Sequence, residues 1–230
     1  MAIHGSRQQE MSNRRARFPG RAAFPAWALL LLLGALPGNG QAAAGAPPVL
    51  VRLTTALGEI DLEIDLTHAP RSAENFLLYV DAGRYDGGRF HRTVRPDNET
   101  RRDVPIEVVQ AGVAPDRERE DFPPVPLERT SVTGLRHRDG TLSMARAAPD
   151  SATSDFFVCL GDQPSLDFGG ARNPDGQGFA AFGRVVRGLD VVRRIQASPA
   201  DGQTLTPPIA IVSARRLPAS AAPPPGAPAP

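Results

Sequence analysis

Lysine is absent from this 230-residue chain: all 26 of its basic residues are arginine. Without an ε-ammonium there is no Schiff-base lysine and no P-loop NTPase motif. A single cysteine, Cys159, excludes an internal disulfide and a cysteine-rich zinc site. Charge of one sign is lacking too. The 26 arginines face 25 acids, a net charge of +1 that gives no electrostatic pointer to nucleic acid. No long apolar run occurs. The longest charge-free apolar stretch, Phe24 to Leu36, has 13 residues, short of the roughly 20 that span a bilayer. No G-x-S-x-G elbow is present, and no two histidines share ligand spacing on one helix, so neither a metal nor a cofactor is expected.

What is there begins with two removable ends. Arg7, Arg14, Arg15, Arg17 and Arg21 precede the apolar run, and Pro37, Gly38 and Ala42-Ala43-Ala44 follow it. Basic, apolar and small-residue regions in that order read as a secretory signal peptide over residues 1–44, cleaved after Ala44. The alternative is an uncleaved N-terminal anchor. Removal of residues 1–44 leaves 21 arginines against 24 acids, a mildly acidic chain for which phosphate-backbone binding is not expected. Pro218 to Pro230 holds six prolines and no charge, and reads as an extended, disordered tail. The remaining core, residues 45–217, suffices for one domain. The expected location is periplasmic or secreted, with no stable membrane insertion after cleavage.

Within the core, Glu59 to Leu66 alternates strictly. Ile60, Leu62, Ile64 and Leu66 share one face, and a row of carboxylates shares the other. This predicts a half-buried strand with its acids in water, paired in a hairpin with Val49 to Thr55. Pro70 opens a helix with an Ala73, Phe76, Leu77, Val80 stripe closed by Gly83. A second helix runs from Leu189 to Ala197. Short β-like runs cover 89–94, 106–110, 141–144, 156–160, 179–186 and 209–212, with long Pro-, Asp- and Arg-rich loops around 95–105 and 114–126. Gly- and Pro-rich turns between short strands predict a mostly β protein, a barrel or a sandwich. Cys159 reads as a buried strand residue.

Several separated segments share an order. They are Tyr85-Asp86-Gly87-Gly88-Arg89-Phe90-His91-Arg92, Val109-Gln110-Ala111-Gly112, Leu142-Ser143-Met144-Ala145-Arg146-Ala147 with Ser154-Asp155-Phe156-Phe157, then Leu166-Asp167, Phe182-Gly183-Arg184-Val185 and Gly188-Leu189-Asp190-Val191-Val192. Together they resemble the cyclophilin-type peptidyl-prolyl cis-trans isomerases over nearly all of residues 49 to 217. The resemblance implies an eight-stranded antiparallel β-barrel closed by two α-helices. With the leader, it implies an exported bacterial isomerase acting, as a monomer, on Pro-containing segments of client polypeptides.

By the same resemblance Arg92 is the catalytic residue and Gln110 hydrogen-bonds the substrate backbone beside it. Val108, Phe157 and Leu166 form the pocket for the proline ring, and Ala145 and Arg146 hold the peptide in the neighbouring groove. The chain departs from the family pattern in places. Glu107 stands at a pocket Phe, Asp155 at a groove Gln, Ser165 at a Trp and Phe179 at a pocket His, with Phe179 available to refill the space lost at Glu107. The stretch from Arg92 to Gln110 is also longer than usual. These departures leave a second reading, a cyclophilin-fold chaperone or peptide-binding module with little isomerase activity.

Overall fold

The computed structural model of the protein describes residues 48–218. The expected leader, and all but the first residue of the expected tail, lie outside the described residues.

Strands β1 (Val49–Thr55) and β2 (Gly58–Ile64) form the first hairpin. Its turn closes through Thr55, whose Oγ1 donates to the Gly58 carbonyl at 2.8 Å and accepts the Leu57 N–H at 3.1 Å. Gly58 takes φ +135, a conformation that side chains resist. Ile60, Leu62 and Ile64 enter the core as their alternation requires. The opposite row is not uniformly wet, which corrects the sequence reading. Asp61 is 7% exposed, because the flanking strands set Arg52 and Arg187 beside it, each with its Nε 2.7 Å away. Burial opposes its ionisation, but the two guanidinium groups outweigh that and hold its pKa below the usual carboxylate range. Leu66 lies past the strand end and is exposed.

Helix α1 (Pro70–Asp81) follows, with Ala73, Phe76, Leu77 and Val80 buried. Its first N–H groups are satisfied from a distance. The Glu128 carboxylate accepts from the backbone of Arg71 at 3.0 Å and of Ser72 at 2.7 Å. Next come β3 (Arg89–Val94), β4 (Val108–Gly112), a one-turn α2 (Thr130–Thr133), β5 (Thr141–Met144), β6 (Phe156–Cys159) and β7 (Ala180–Arg187). Helix α3 (Leu189–Gln196) buries Val191, Val192 and Ile195. The chain finishes with a two-residue β8 (Ala200–Asp201) and a long β9 (Thr204–Arg216).

All pairings are antiparallel. The order β1-β2-β7-β5-β6-β4-β3-β9 closes where β9 returns to β1, an eight-stranded barrel with β8 appended to β9. Strand β9 exceeds its predicted four residues because Pro207 and Pro208 do not interrupt its pairing. They fall between its contacts with β3 at Thr204 and at Ile209, where no ladder donor is required.

Period-2 alternation gives the β3-β4-β6 wall two faces. Phe90, Val109, Ala111, Phe156 and Val158 belong to the main core. Val94, Ile106, Val108, Phe157, Cys159 and Leu166 form a second, smaller cluster, with Ala145 and Phe179 packed on it.

Candidate active site

The ladder register aligns three of the sequence-predicted site residues. Arg92 of β3 pairs with Gln110 of β4, and Gln110 pairs with Phe157 of β6. Strict alternation would have put Arg92 on the same face as the core residue Phe90. A register shift between Phe90 and Arg92, a bulge at His91, turns Arg92 toward the face of Gln110 and Phe157. A bulge re-aims a side chain in this way.

These residues line a cleft of about 670 Å³. Arg92 is half-buried in it. Its Nε (3.1 Å) and Nη2 (2.7 Å) both donate to Gln203 Oε1, and its Nη1 donates to Gln110 Oε1 at 3.1 Å. Burial, then the charge of Arg172, pulls the Arg92 pKa below its ordinary value, with Glu99 opposing; the guanidinium stays charged all the same. Gln110 passes the arrangement on, its Nε2 donating to Asp155 Oδ2 at 2.8 Å. Burial pushes the Asp155 carboxyl above its ordinary value, against the Gln110 hydrogen bond and His91, whose Nε2 lies 3.5 Å from it.

Beside Arg92 lies the apolar part of the cleft, made by Val108, Phe157 and Leu166, all nearly buried, with Phe179 set edge-on to Phe157 at 5.4 Å. His137 stacks on Phe157 at 6.0 Å. Its ring nitrogens lie 2.8 Å from Asp167 Oδ1 and 2.9 Å from Ser143 Oγ. Ser143 and His137 are at most 1% exposed, so this trio is a structural support with no access to substrate. Cys159 is fully buried, and burial raises its thiol well above the ordinary value, which leaves it inert as a nucleophile.

Ala145 and Arg146 line the cleft beyond this pocket. The Arg146 guanidinium is turned inward. It donates to the Gly178 carbonyl and to both carboxylate oxygens of Asp175, and it lies 5.2 Å from the Phe179 ring centroid. Its side chain is 1% exposed, so its donors hold the 175–178 turn and Phe179 in place.

Four cleft features escaped the sequence reading. Glu107 turns away, toward Gln196, whose Nε2 donates to it at 3.3 Å. Its predecessor Ile106 faces the cleft instead and is 6% exposed. Arg172 brings a second cation to the wall, tied to Glu99 of the long 95–105 segment at 2.9 Å. Asp121 and Glu118 join Asp155 to make the opposite end acidic. Gln203 comes from the β8–β9 turn, 111 residues from Arg92. Only the polar character of that turn was visible in the sequence, with nothing to tie it to Arg92. Among the described residues no group of three or more His, Cys, Asp or Glu side chains converges as a metal-ligand set.

The fold and site together are those of a closed antiparallel barrel with a cation at the rim of an apolar pocket on its wall. Comparison with known proteins gives this architecture its family. The sequence model of the cyclophilin type peptidyl-prolyl cis-trans isomerases matches residues 50–216, and the chain belongs to this family. A peptidyl-prolyl cis-trans isomerase of Streptomyces antibioticus is 37% identical over 147 residues, covering 64% of this chain and 82% of the relative. One of Acinetobacter baylyi is 35% identical over 170 residues, covering 74% and 81%. The solved structure of a Cryptosporidium parvum cyclophilin type isomerase, 21% identical, superposes with a TM-score of 0.58 over 74% of this chain and 98% of its own, a likeness of fold. This chain is accordingly an enzyme, a peptidyl-prolyl cis-trans isomerase.

Proposed function

We propose that the enzyme accelerates X-Pro rotation in exported polypeptides through the guanidinium of Arg92. The uncatalysed barrier is about 18–20 kcal/mol, set by the amide resonance that must break. As the bond twists, the prolyl nitrogen becomes pyramidal and gains a lone pair. A fixed cation that hydrogen-bonds this nitrogen stabilises the twisted state more than either planar state, which is the condition for catalysis. No bond is made or broken, so neither nucleophile nor cofactor enters. Val108, Ile106, Phe157, Leu166 and Phe179 hold the proline ring, Gln110 steadies the adjoining backbone, and Ala145 lies along the groove. One observation carries the reading. The Arg92 side chain donates to Gln203 and Gln110 through three of its N–H groups and, with five in all, keeps two free at the edge of the apolar pocket.

Steady-state isomerisation of short X-Pro peptides tests it. Arg92→Ala, folded by circular dichroism, is expected to lose about two orders of magnitude in kcat/KM, as for removal of a transition-state donor. Retained activity would remove Arg92 from the mechanism.

Export rests on the sequence of residues 1–44, and Pro-containing segments of exported clients, met by a monomeric enzyme, are its proposed substrates. Cell fractionation with N-terminal sequencing checks this, with Gly45 as the expected first residue.

A further inference from the structure

We infer that Gln203 is a positioning residue for Arg92 and that Asn98, from the long 95–105 segment, locks it in place. The inference rests on the catalytic role proposed for Arg92.

More than half of the described arginines are held by carboxylates, although Arg129, like Arg92, donates to a glutamine oxygen. Among the described residues, Arg52, Arg84, Arg146, Arg172, Arg187 and seven others form ion pairs with Asp or Glu within 4.0 Å, as does Arg95. Arg92 is held differently. Both of its side-chain acceptors are neutral amides, Gln203 and Gln110. A carboxylate in either place would fix the guanidinium as firmly but would offset its charge, and that charge must act on the prolyl nitrogen. A neutral oxygen orients the group and leaves its field intact.

Gln203 takes one whole edge of the guanidinium. A single oxygen, Oε1, accepts from Nε and Nη2 together, which fixes the plane of the group as well as its position. The glutamine is itself held. It lies in the two-residue turn between Asp201 and Thr204, where Gly202 adopts φ +56. Its carbonyl accepts the Thr93 N–H at 2.9 Å, and its Nε2 donates to the Asn98 carbonyl at 3.3 Å. The Asn98 side chain completes the lock, with Nδ2 donating to the Gly202 carbonyl at 2.9 Å and the Thr93 carbonyl at 3.2 Å. The long segment after β3 therefore joins the strand that carries Arg92 to the turn that aims it.

Gln203→Glu, Gln203→Ala, Asn98→Ala and Arg92→Ala are compared with the wild type by exchange NMR on an Ala-Pro-containing peptide titrated to saturation, with thermal melts alongside. Gln203→Glu keeps the acceptor, adds a charge and removes the Nε2 donor to the Asn98 carbonyl. The carboxylate holds the guanidinium but offsets the charge that Gln203 leaves intact, so kcat is expected to fall by about tenfold with the melting temperature little changed, whereas a role in folding alone leaves kcat at the wild-type value. Gln203→Ala is expected to lower kcat by a similar factor with KM little changed, and Asn98→Ala to give a smaller loss in the same direction. Full kcat in Gln203→Glu, or in Gln203→Ala, overturns the inference even where Arg92→Ala is inactive. Activity retained in Arg92→Ala is a separate failure, that of the catalytic assignment, and it removes the inference with it.

Discussion

Arg172 and Glu99 form a nearly buried ion pair, Nη1 to Oε2 at 2.9 Å, with side chains 11% and 2% exposed. The pair fastens the 95–105 segment to the wall of the cleft. Glu99 also accepts the backbone N–H groups of Arg101 at 2.8 Å and Ile106 at 3.2 Å. Its carboxylate thus organises the segment that presents Ile106 to the proline pocket.

Removing one partner of such a pair strands the other. Glu99→Ala is expected to destabilise the fold by about 3 kcal/mol, read as a lower urea midpoint. Its pH behaviour follows from the direction of its shift. Burial alone would raise the Glu99 pKa, but the Arg101 and Ile106 N–H groups and Arg172 outweigh it and hold the carboxyl below its ordinary value of 4.5. The stabilisation is therefore complete above pH 4.5 and is lost as pH falls through the lower folded-state value. Glu99→Gln is expected to remove that part of the acid-limb slope, and an unchanged slope would contradict the assignment.

Gly112 leaves room for Asp155. A Cβ at this position would lie 1.8 Å from Asp155 Oδ1. Gly112→Ala is expected to displace the carboxylate at little cost in melting temperature, since a side-chain end can move. Gln110 then loses its anchor, and kcat/KM is expected to fall by roughly tenfold, the scale of a charge-assisted hydrogen bond. Wild-type kinetics in a folded Gly112→Ala would show that the Asp155–Gln110 link is dispensable.

His137 supports Phe157 from behind. His137→Ala removes the stacked ring, leaves Ser143 without its partner and takes from Asp167 its ring donor, at an expected cost of about 2–3 kcal/mol. The aromatic wall also loosens, so KM for X-Pro peptides is expected to rise more than kcat falls. Equal losses in both would point to a role beyond packing.

Much of the barrel was legible because its strands alternate against one core, and the two long helices because Pro70 and the apolar stripes mark them. The site was legible only in part. Arg92, Gln110, Phe157 and Leu166 were found through motif order. The bulge at His91 that brings Arg92 to their face leaves no mark in a period-2 pattern. Glu107 stands at a pocket position only by alignment with the family pattern, whereas alternation back from Val108 places it on the opposite face. The strand begins at Val108, and Ile106, two residues earlier, keeps the face of Val108 and Gln110. Gln203 and Arg172 were out of reach for another reason. Their roles arise from contacts across 111 and 73 residues, and no local propensity encodes such distances.

The most direct test of the central claim separates rotation from binding. Exchange NMR on an X-Pro peptide, titrated with wild type and with Arg92→Ala, yields the cis–trans rate on the enzyme and the peptide affinity independently. If the guanidinium stabilises the twisted amide, the on-enzyme rate falls by about a hundredfold, while affinity changes only a few-fold. An on-enzyme rate that survives Arg92→Ala, with affinity alone reduced, would contradict the mechanism and leave Arg92 as a binding residue.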